Sequence, residues 1–238
     1  MNTRRKFLLQ GSMATTALLI ADPFKTFANR ISPITGFVVD DNKIVLLHTG
    51  NSSQHNRHFA AEQISSLKKS TGNLVLLHAG KHNESNTVFN NHDALIHTDS
   101  IDASQYKIIY KGDIKIGIIK AIEPETGLAN NINKLSSYLK KEKKCQLVIC
   151  LSQLGYKNKY TLDDLKLANI STHLDIIIGG HENNFSKHPM IAQNGNKEEV
   201  IIHAAACNSF ALGNIEIGFD KMRNKHSIAF DNLLSKTA

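Results

Sequence analysis

The sequence predicts an α/β sandwich, on three observations. Short apolar runs rich in β-branched residues alternate with helical patterns along most of the chain. The last forty or so residues then turn strand-rich, the pattern of sheets covered by helices. No repeat, low-complexity tract or Pro/Gly-rich linker divides residues 30–238, so one α/β unit is expected there.

Taken in order, Ile44 to His48 (IVLLH) reads as a buried strand, and Arg57 to Lys69 as an amphipathic helix with Phe59, Ile64 and Leu67 facing inward. Leu74 to His78 (LVLLH) is a second buried strand, and Ala94 to His97 a short third. Tyr106–Tyr110 and Ile114–Lys120 flank Lys111-Gly112-Asp113, the signal of a hairpin. Asn131 to Lys141 carries Ile132, Leu135 and Leu139 at helical spacing. Gln146 to Leu151 is a strand, and Leu162 to Ala168 a helix capped at Thr161 with acids in its first turn. Leu174 to Ile178 runs into Gly179-Gly180; Val200–His203, Leu212–Phe219 and His226–Phe230 are the closing strands.

Composition narrows the function classes. Hydrophobic content is 41% and charged content 21%, both ordinary for a globular protein. Aromatics are 6% with no Trp, which argues against a stacking platform for single-stranded nucleic acid. Of the net +7, residues 1–28 contribute +3 (Arg4, Arg5, Lys6 and Lys25 against Asp22), which leaves a mild +4 on the rest. Lys140, Lys141, Lys143 and Lys144 end a predicted helix, where cations meet the negative end of its dipole, and read as a solvated helix end. No nucleic-acid partner is expected. Three cysteines (Cys145, Cys150, Cys207) do not make a disulfide framework. Cys145 and Cys150 flank one strand, roughly 16 Å apart and beyond disulfide reach. All three read as small buried apolar residues.

Residues 1–28 have the form of an address. Thr3-Arg4-Arg5-Lys6-Phe7-Leu8 precedes an uncharged apolar run from Phe7 to Ala21 that is too short to span a bilayer of roughly 30 Å as a comfortable helix. The start resembles the twin-arginine export signal. Cleavage is expected after Ala21 or Ala28, leaving a mature chain without a membrane span in the periplasm or another extracytoplasmic compartment.

In sheets of this kind chemistry gathers where strands end in loops, and the strand ends carry a pattern. Cys145-Gln-Leu-Val-Ile-Cys-Leu-Ser-Gln-Leu-Gly-Tyr156 is followed by Leu174-Asp-Ile-Ile-Ile-Gly-Gly-His-Glu-Asn-Asn-Phe185. Leu47-His-Thr-Gly-Asn-Ser-Ser53 and Leu76-Leu-His-Ala-Gly-Lys81 precede them; Lys115-Ile-Gly-Ile-Ile119 lies between, and Leu212-Gly-Asn-Ile comes last. In order and spacing these segments resemble the 5′-nucleotidase branch of the calcineurin-like metallophosphatases: Leu-His-Thr-Asn-Asp-x-His, Leu-Asp-Ala-Gly-Asp, a lysine-started central strand, Ser-His-Leu-Gly, Gly-Gly-His-x-His and a closing Leu-Gly strand. The resemblance covers nearly all of residues 43–220 and implies two mixed sheets flanked by helices.

The family binds two divalent metals with Asp, His and Asn side chains; the metals activate a hydroxide and clamp the phosphate. Position by position, the resemblance puts Asn51 where the first Asp stands and Ser53 where its His stands. Lys81 falls on the Asp that bridges both metals, Gln153 on the His of Ser-His-Leu-Gly, and Asn183 on the last His. His181 alone keeps its family identity. Asn90-Asn91-His92-Asp93 resembles Gly-Asn-His-Asp/Glu, which implies an Asn ligand at Asn91 and an acid at His92. Only about ten residues separate it from Lys81, so it is read as a compressed remnant.

Lys81 decides the expectation. A unit positive charge at 4 Å repels another by about 4 kcal/mol at an effective dielectric of 20, and a dication by about twice that. The expected protein is therefore a non-catalytic pseudoenzyme without a metal cofactor that binds an anion, a nucleotide or a partner protein; Lys81 either holds phosphate or a nucleotide directly or reaches solvent from an idle pocket. A partner chain carrying the 5′-nucleotidase C-terminal substrate domain is a further expectation of the resemblance. The alternative is a metal-dependent phosphoesterase with one divalent ion (Mn, Zn or Ca) around His181, Asn51 and His92. A rearranged zinc site drawn from His55, His82, His92 or His181 belongs to the same alternative.

Overall fold

The structure, a computed structural model, describes residues 42–50, 62, 64–67, 72–80, 95–97, 101, 106–122, 126–180, 188–204 and 210–234. Eleven strands and two helices are assigned among them: β1 (Lys43–Thr49), β2 (Leu74–His78), β3 (Leu95–His97), β4 (Tyr106–Lys111), β5 (Ile114–Ala121), α1 (Leu128–Lys141), β6 (Leu147–Ser152), α2 (Asp164–Ile170), β7 (Ile176–Gly179), β8 (Met190–Gln193), β9 (Glu199–Ala204), β10 (Phe210–Phe219) and β11 (Lys225–Leu234). One sheet has the order β11-β10-β1-β2-β3 and the other β4-β5-β6-β7-β9-β8. Both sheets are mixed. β1, β2 and β3 run parallel and β10 joins them antiparallel; β5, β6, β7 and β9 run parallel, with β4 and β8 antiparallel at the edges. This is the predicted sandwich.

The sheets pack face to face, because alternate residues of each strand point to opposite faces. Ile44 and Leu46, Val75 and Leu77, Ile116 and Ile118, Ile149 and Leu151, Ile176 and Ile178, and Ile215 and Ile217 fill the layer between them. The other face of the second sheet lies under the helices, where Ile132 and Leu139 of α1 and Leu167 and Ala168 of α2 meet Val148, Cys150 and Ile177. The outer face of the first sheet is covered by Ile64 and Leu67 of a short helical stretch within the helix expected at 57–69, against Val45, Leu47, Leu74, Leu76 and Leu212. Strands buried on both faces must be apolar throughout, and for that reason β2, β6 and β7 read as unbroken apolar runs in the sequence. Cys145 and Cys150 are buried free thiols, and burial raises the Cys150 thiol far above its ordinary range. Cys207 lies outside the described residues, as does the expected signal segment.

Three local differences have physical causes. Helix α2 is capped by Asp163 rather than Thr161: the Asp163 carboxylate accepts the Lys166 amide at 2.7 Å and the Asn158 amide at 2.9 Å. Helix α1 begins at Leu128, three residues before the expected start, from Gly127 in the left-handed region (φ 87°). Of the lysines at the end of α1, Lys140 does not extend into solvent but reaches the Asp175 carboxylate at 2.7 Å and the Gln146 carbonyl at 2.8 Å. No helix among the described residues is long and apolar enough to cross a membrane.

Candidate functional site

The parallel strands of both sheets bring their carboxyl ends to one edge of the sandwich. Thr49-Gly50 leaves β1, Ala79-Gly80 leaves β2, Ser152-Gln153 leaves β6, and Gly179-Gly180 leaves β7. Their backbones are tied together: the Ala79 amide donates to Thr49 O at 3.0 Å, the Gly180 amide to Ser152 O at 2.8 Å, and the Gln153 amide to Ala121 O at 2.8 Å. Across the two sheets, the Gln153 side-chain amide donates to Gly80 O at 3.2 Å. A Cβ at Gly180 would stand 2.0 Å from Ala79 O and 2.6 Å from the Gly80 amide nitrogen, so the two main chains touch at this point. Only a residue without a side chain permits that approach.

Gln153 is the one predicted site residue within the described set. Asn51, Lys81 and His181 each follow a described strand end directly in sequence, after Gly50, Gly80 and Gly180. They lie outside the described residues, together with Ser53, Asn91, His92 and Asn183. The four chain segments that carry Asn51, Lys81, Gln153 and His181 thus leave the sandwich from neighbouring strand ends.

Two groups at this edge are not singled out as a site by the sequence. The first is a buried imidazole pair between the sheets. His48 Nε2 and His203 Nδ1 are 2.7 Å apart and share one proton, both rings are wholly buried, and Phe230 packs edge-on against His203. His48 sits directly against its cross-strand partner Gly213, where an added Cβ would lie 2.2 Å from Nε2. Burial, and after it His203, hold His48 well below the ordinary imidazole range. A histidine kept neutral in the fold contributes stability that is present above its unfolded value of about 6.5 and lost as pH falls below it. His48 is therefore expected to stay neutral at about pH 6 in folded protein, as imidazole nitrogen shifts in NMR will report; a charged His48 ring at that pH refutes the pairing. On the outer face of the first sheet, the Thr49 hydroxyl and His78 Nδ1 make a second hydrogen bond of 2.7 Å.

The second group is a carboxyl behind the second sheet. Asp164, in the first turn of α2, is 1% exposed and takes a hydrogen bond from the Ser152 hydroxyl. Burial pushes its carboxyl up to about 7, further helped by Asp163, against the opposing Ser152 hydrogen bond. The α2 amides pull the other way, but a helix dipole is worth only about 0.3–1 kcal/mol, less than one pKa unit. Burial wins.

Among the described residues, the strand ends bring no anionic ligand for a two-metal centre. No cluster of three or more His, Cys, Asp or Glu side chains is poised to hold an ion among the described residues. At the described strand ends the side chains are Thr49, Ser152 and Gln153, with no carboxylate, and the Gln153 amide points its donor at Gly80 O.

No protein-family model matches the sequence, and no curated protein matches it. Solved structures do. A 5′-nucleotidase precursor from Thermus thermophilus superposes with TM-score 0.54 at 16% identity, over 81% of this chain and 54% of its own. The NAD nucleotidase of Haemophilus influenzae gives 0.60 at 14% identity, over 81% of this chain and 50% of its own. A hypothetical protein, also from Thermus thermophilus, gives 0.53 at 8% identity, over 80% of this chain and 99% of its own. The chain spans about half the length of both nucleotidases. The fold is that of the 5′-nucleotidase metallophosphatases.

Proposed function

We propose that this protein, built on the 5′-nucleotidase metallophosphatase fold, is an exported pseudoenzyme whose strand-end site binds phosphate or a nucleotide without a metal. One observation carries the reading. The position that answers to the bridging carboxylate of a two-metal centre is Lys81. It follows Gly80, which Gln153 and Gly180 hold at the junction of the two sheets. An ammonium there opposes two dications but attracts an anionic oxygen. Asn51, Ser53 and Asn183 add amides and a hydroxyl, and His181 adds an imidazole; these groups hydrogen-bond an oxyanion and bring no negative charge. The twin-arginine-like start of the chain supports export.

Calorimetry in excess chelator with phosphate, AMP and ATP tests the reading. Binding is expected, with Lys81→Ala weakening it about tenfold or more, the worth of one charge-assisted hydrogen bond. No heat at millimolar ligand ends the proposal. In parallel, hydrolysis of an aryl phosphate and of AMP is measured with added Mn, Zn or Ca. Turnover above the Lys81→Ala control would return the protein to the phosphoesterases, with a single ion around His181, Asn51 and His92.

A further inference from the structure

We propose that Asp164 is the positioning residue of the strand-end site: through Ser152, the proton it carries or lacks sets the placement of Gln153 and of the Gly180 turn. The inference rests on reading those strand ends as the binding site. Its geometry is independent of what binds there.

Ser152 is where the connections meet. Its hydroxyl bonds to Asp164 Oδ1 and also accepts the Leu154 amide at 3.2 Å. Its carbonyl accepts the Gly180 amide at 2.8 Å, one residue before His181. The Asp164 amide donates to Gly155 O at 2.9 Å, so both ends of the 152–155 turn are fastened to the same helix residue. Gln153, held within that turn, reaches Gly80 O, one residue before Lys81. A change at Asp164 therefore meets the segments leading to Lys81 and to His181 within two or three hydrogen bonds.

The proton matters because of what surrounds the carboxyl. Ser152 and the Cys150 thiol face it from β6. A Cβ on Gly179 of β7 would lie 3.1 Å from Oδ2 and 3.3 Å from Ala204 of β9. Asp163, its neighbour at the helix cap, adds a like charge. No cation faces it among the described residues, so the charged form is disfavoured by desolvation and uncompensated. Ionised, Asp164 accepts from the Ser152 hydroxyl. Protonated, it can donate to Ser152 Oγ, whose own hydrogen must then turn to another acceptor. The two states thus reverse the hydrogen bond that anchors the turn.

The test needs no ligand at first. In the wild-type full chain, carboxyl ¹³C shifts should follow Asp164 through its titration, and the Gln153, Leu154 and Gly180 amide shifts should move with the same midpoint. In Asp164→Asn, which keeps shape and hydrogen bonding without a charge, those amides should be flat around that midpoint. Ser152→Ala, with the carboxyl still titrating, should uncouple them. Amides that ignore the carboxyl's titration in wild-type protein overturn the proposal. Calorimetry with sulfate, a dianion whose charge is constant over this range, then reads the site. Wild-type affinity is expected to change between about pH 6 and about pH 8.5 by some fivefold more than that of Asp164→Asn, the low end of coupling between sites. Equal pH profiles for the two proteins refute the functional coupling. Absence of sulfate and phosphate binding refutes the proposed function, while the amide titration still decides the role of Asp164.

Discussion

Replacing Gly180 with alanine is expected to destabilise the protein by about 3 kcal/mol or more, at the upper end of what overpacking costs. The reason is what the new methyl would meet. Its position lies 2.0 Å from Ala79 O and 2.6 Å from the Gly80 nitrogen, both main-chain atoms. A crowding side chain can change rotamer. These atoms directly follow β2, which is paired in register with β1 through Leu76, Leu77 and His78, and the Ala79 amide is itself bonded to Thr49 O, so relief requires parting the two sheets at the site itself. In a chain of this size each kcal/mol moves Tm by about 2–4 °C, so a fall of about 6–12 °C is expected. Gly213→Ala is the companion: its methyl would strike the His48 ring at 2.2 Å. There the obstacle is a side chain, although one hydrogen-bonded to His203. Urea unfolding of both variants checks the argument. A Gly180→Ala protein with the wild-type midpoint would show that the two sheets are not in contact where the site is assigned.

The parts of this fold legible in the sequence are those where one force dominates. β1, β2, β6 and β7 are buried on both faces, so burial alone dictates unbroken apolar runs, which no solvated loop imitates. The β4–β5 hairpin is legible because Gly112 takes a positive φ at its turn. β8 is missed: Met190-Ile-Ala-Gln193 is a four-residue edge strand with one buried residue, Ala192, and short edge strands carry little apolar signal. The start of α2 is misplaced because Thr161 and Asp163 both have capping chemistry two residues apart; the carboxylate prevails by accepting two amides. Of the candidate site, the strand ends are legible, because the buried apolar runs of β1, β2, β6 and β7 stop there; Asn51, Lys81 and His181, which follow three of those ends in sequence, lie outside the described residues. The pairs that support the site are not readable. Ser152 and Asp164 are 12 residues apart and His48 and His203 are 155 apart. Nothing local in a strand histidine, or in an acid near a helix cap, says which distant group it will face.

At the other end of β7, Asp175→Asn is expected to cost about 2–4 kcal/mol, in the range for breaking a buried ion pair with a discount for its partly exposed lysines. Asp175 is 6% exposed. It accepts the Val148 amide at 2.7 Å and Lys140 of α1 at 2.7 Å, and it also binds Lys225 of β11. One carboxylate thus joins a helix, the centre of one sheet and the edge strand of the other. Burial by itself raises its carboxyl, but Lys140 and Lys225, by charge and hydrogen bond, outweigh that and hold it below the usual carboxylate range. A lowered native value means that the folded state releases its proton more readily than the unfolded chain. The stability it contributes is therefore present above the unfolded value of about 3.9 and lost as pH falls through the native one. Wild-type protein should lose this contribution below about pH 4, whereas Asp175→Asn, having lost it already, should show a shallower acid limb in urea melts across pH. Asp175 lies at the amino end of β7, some four strand residues or about 13 Å from the site edge. Phosphate affinity of the folded variant at neutral pH should accordingly match wild type. A variant as stable as wild type at neutral pH would mean that the two lysines leave the carboxylate for solvent, and that Asp175 does not help to join the sheets at this end.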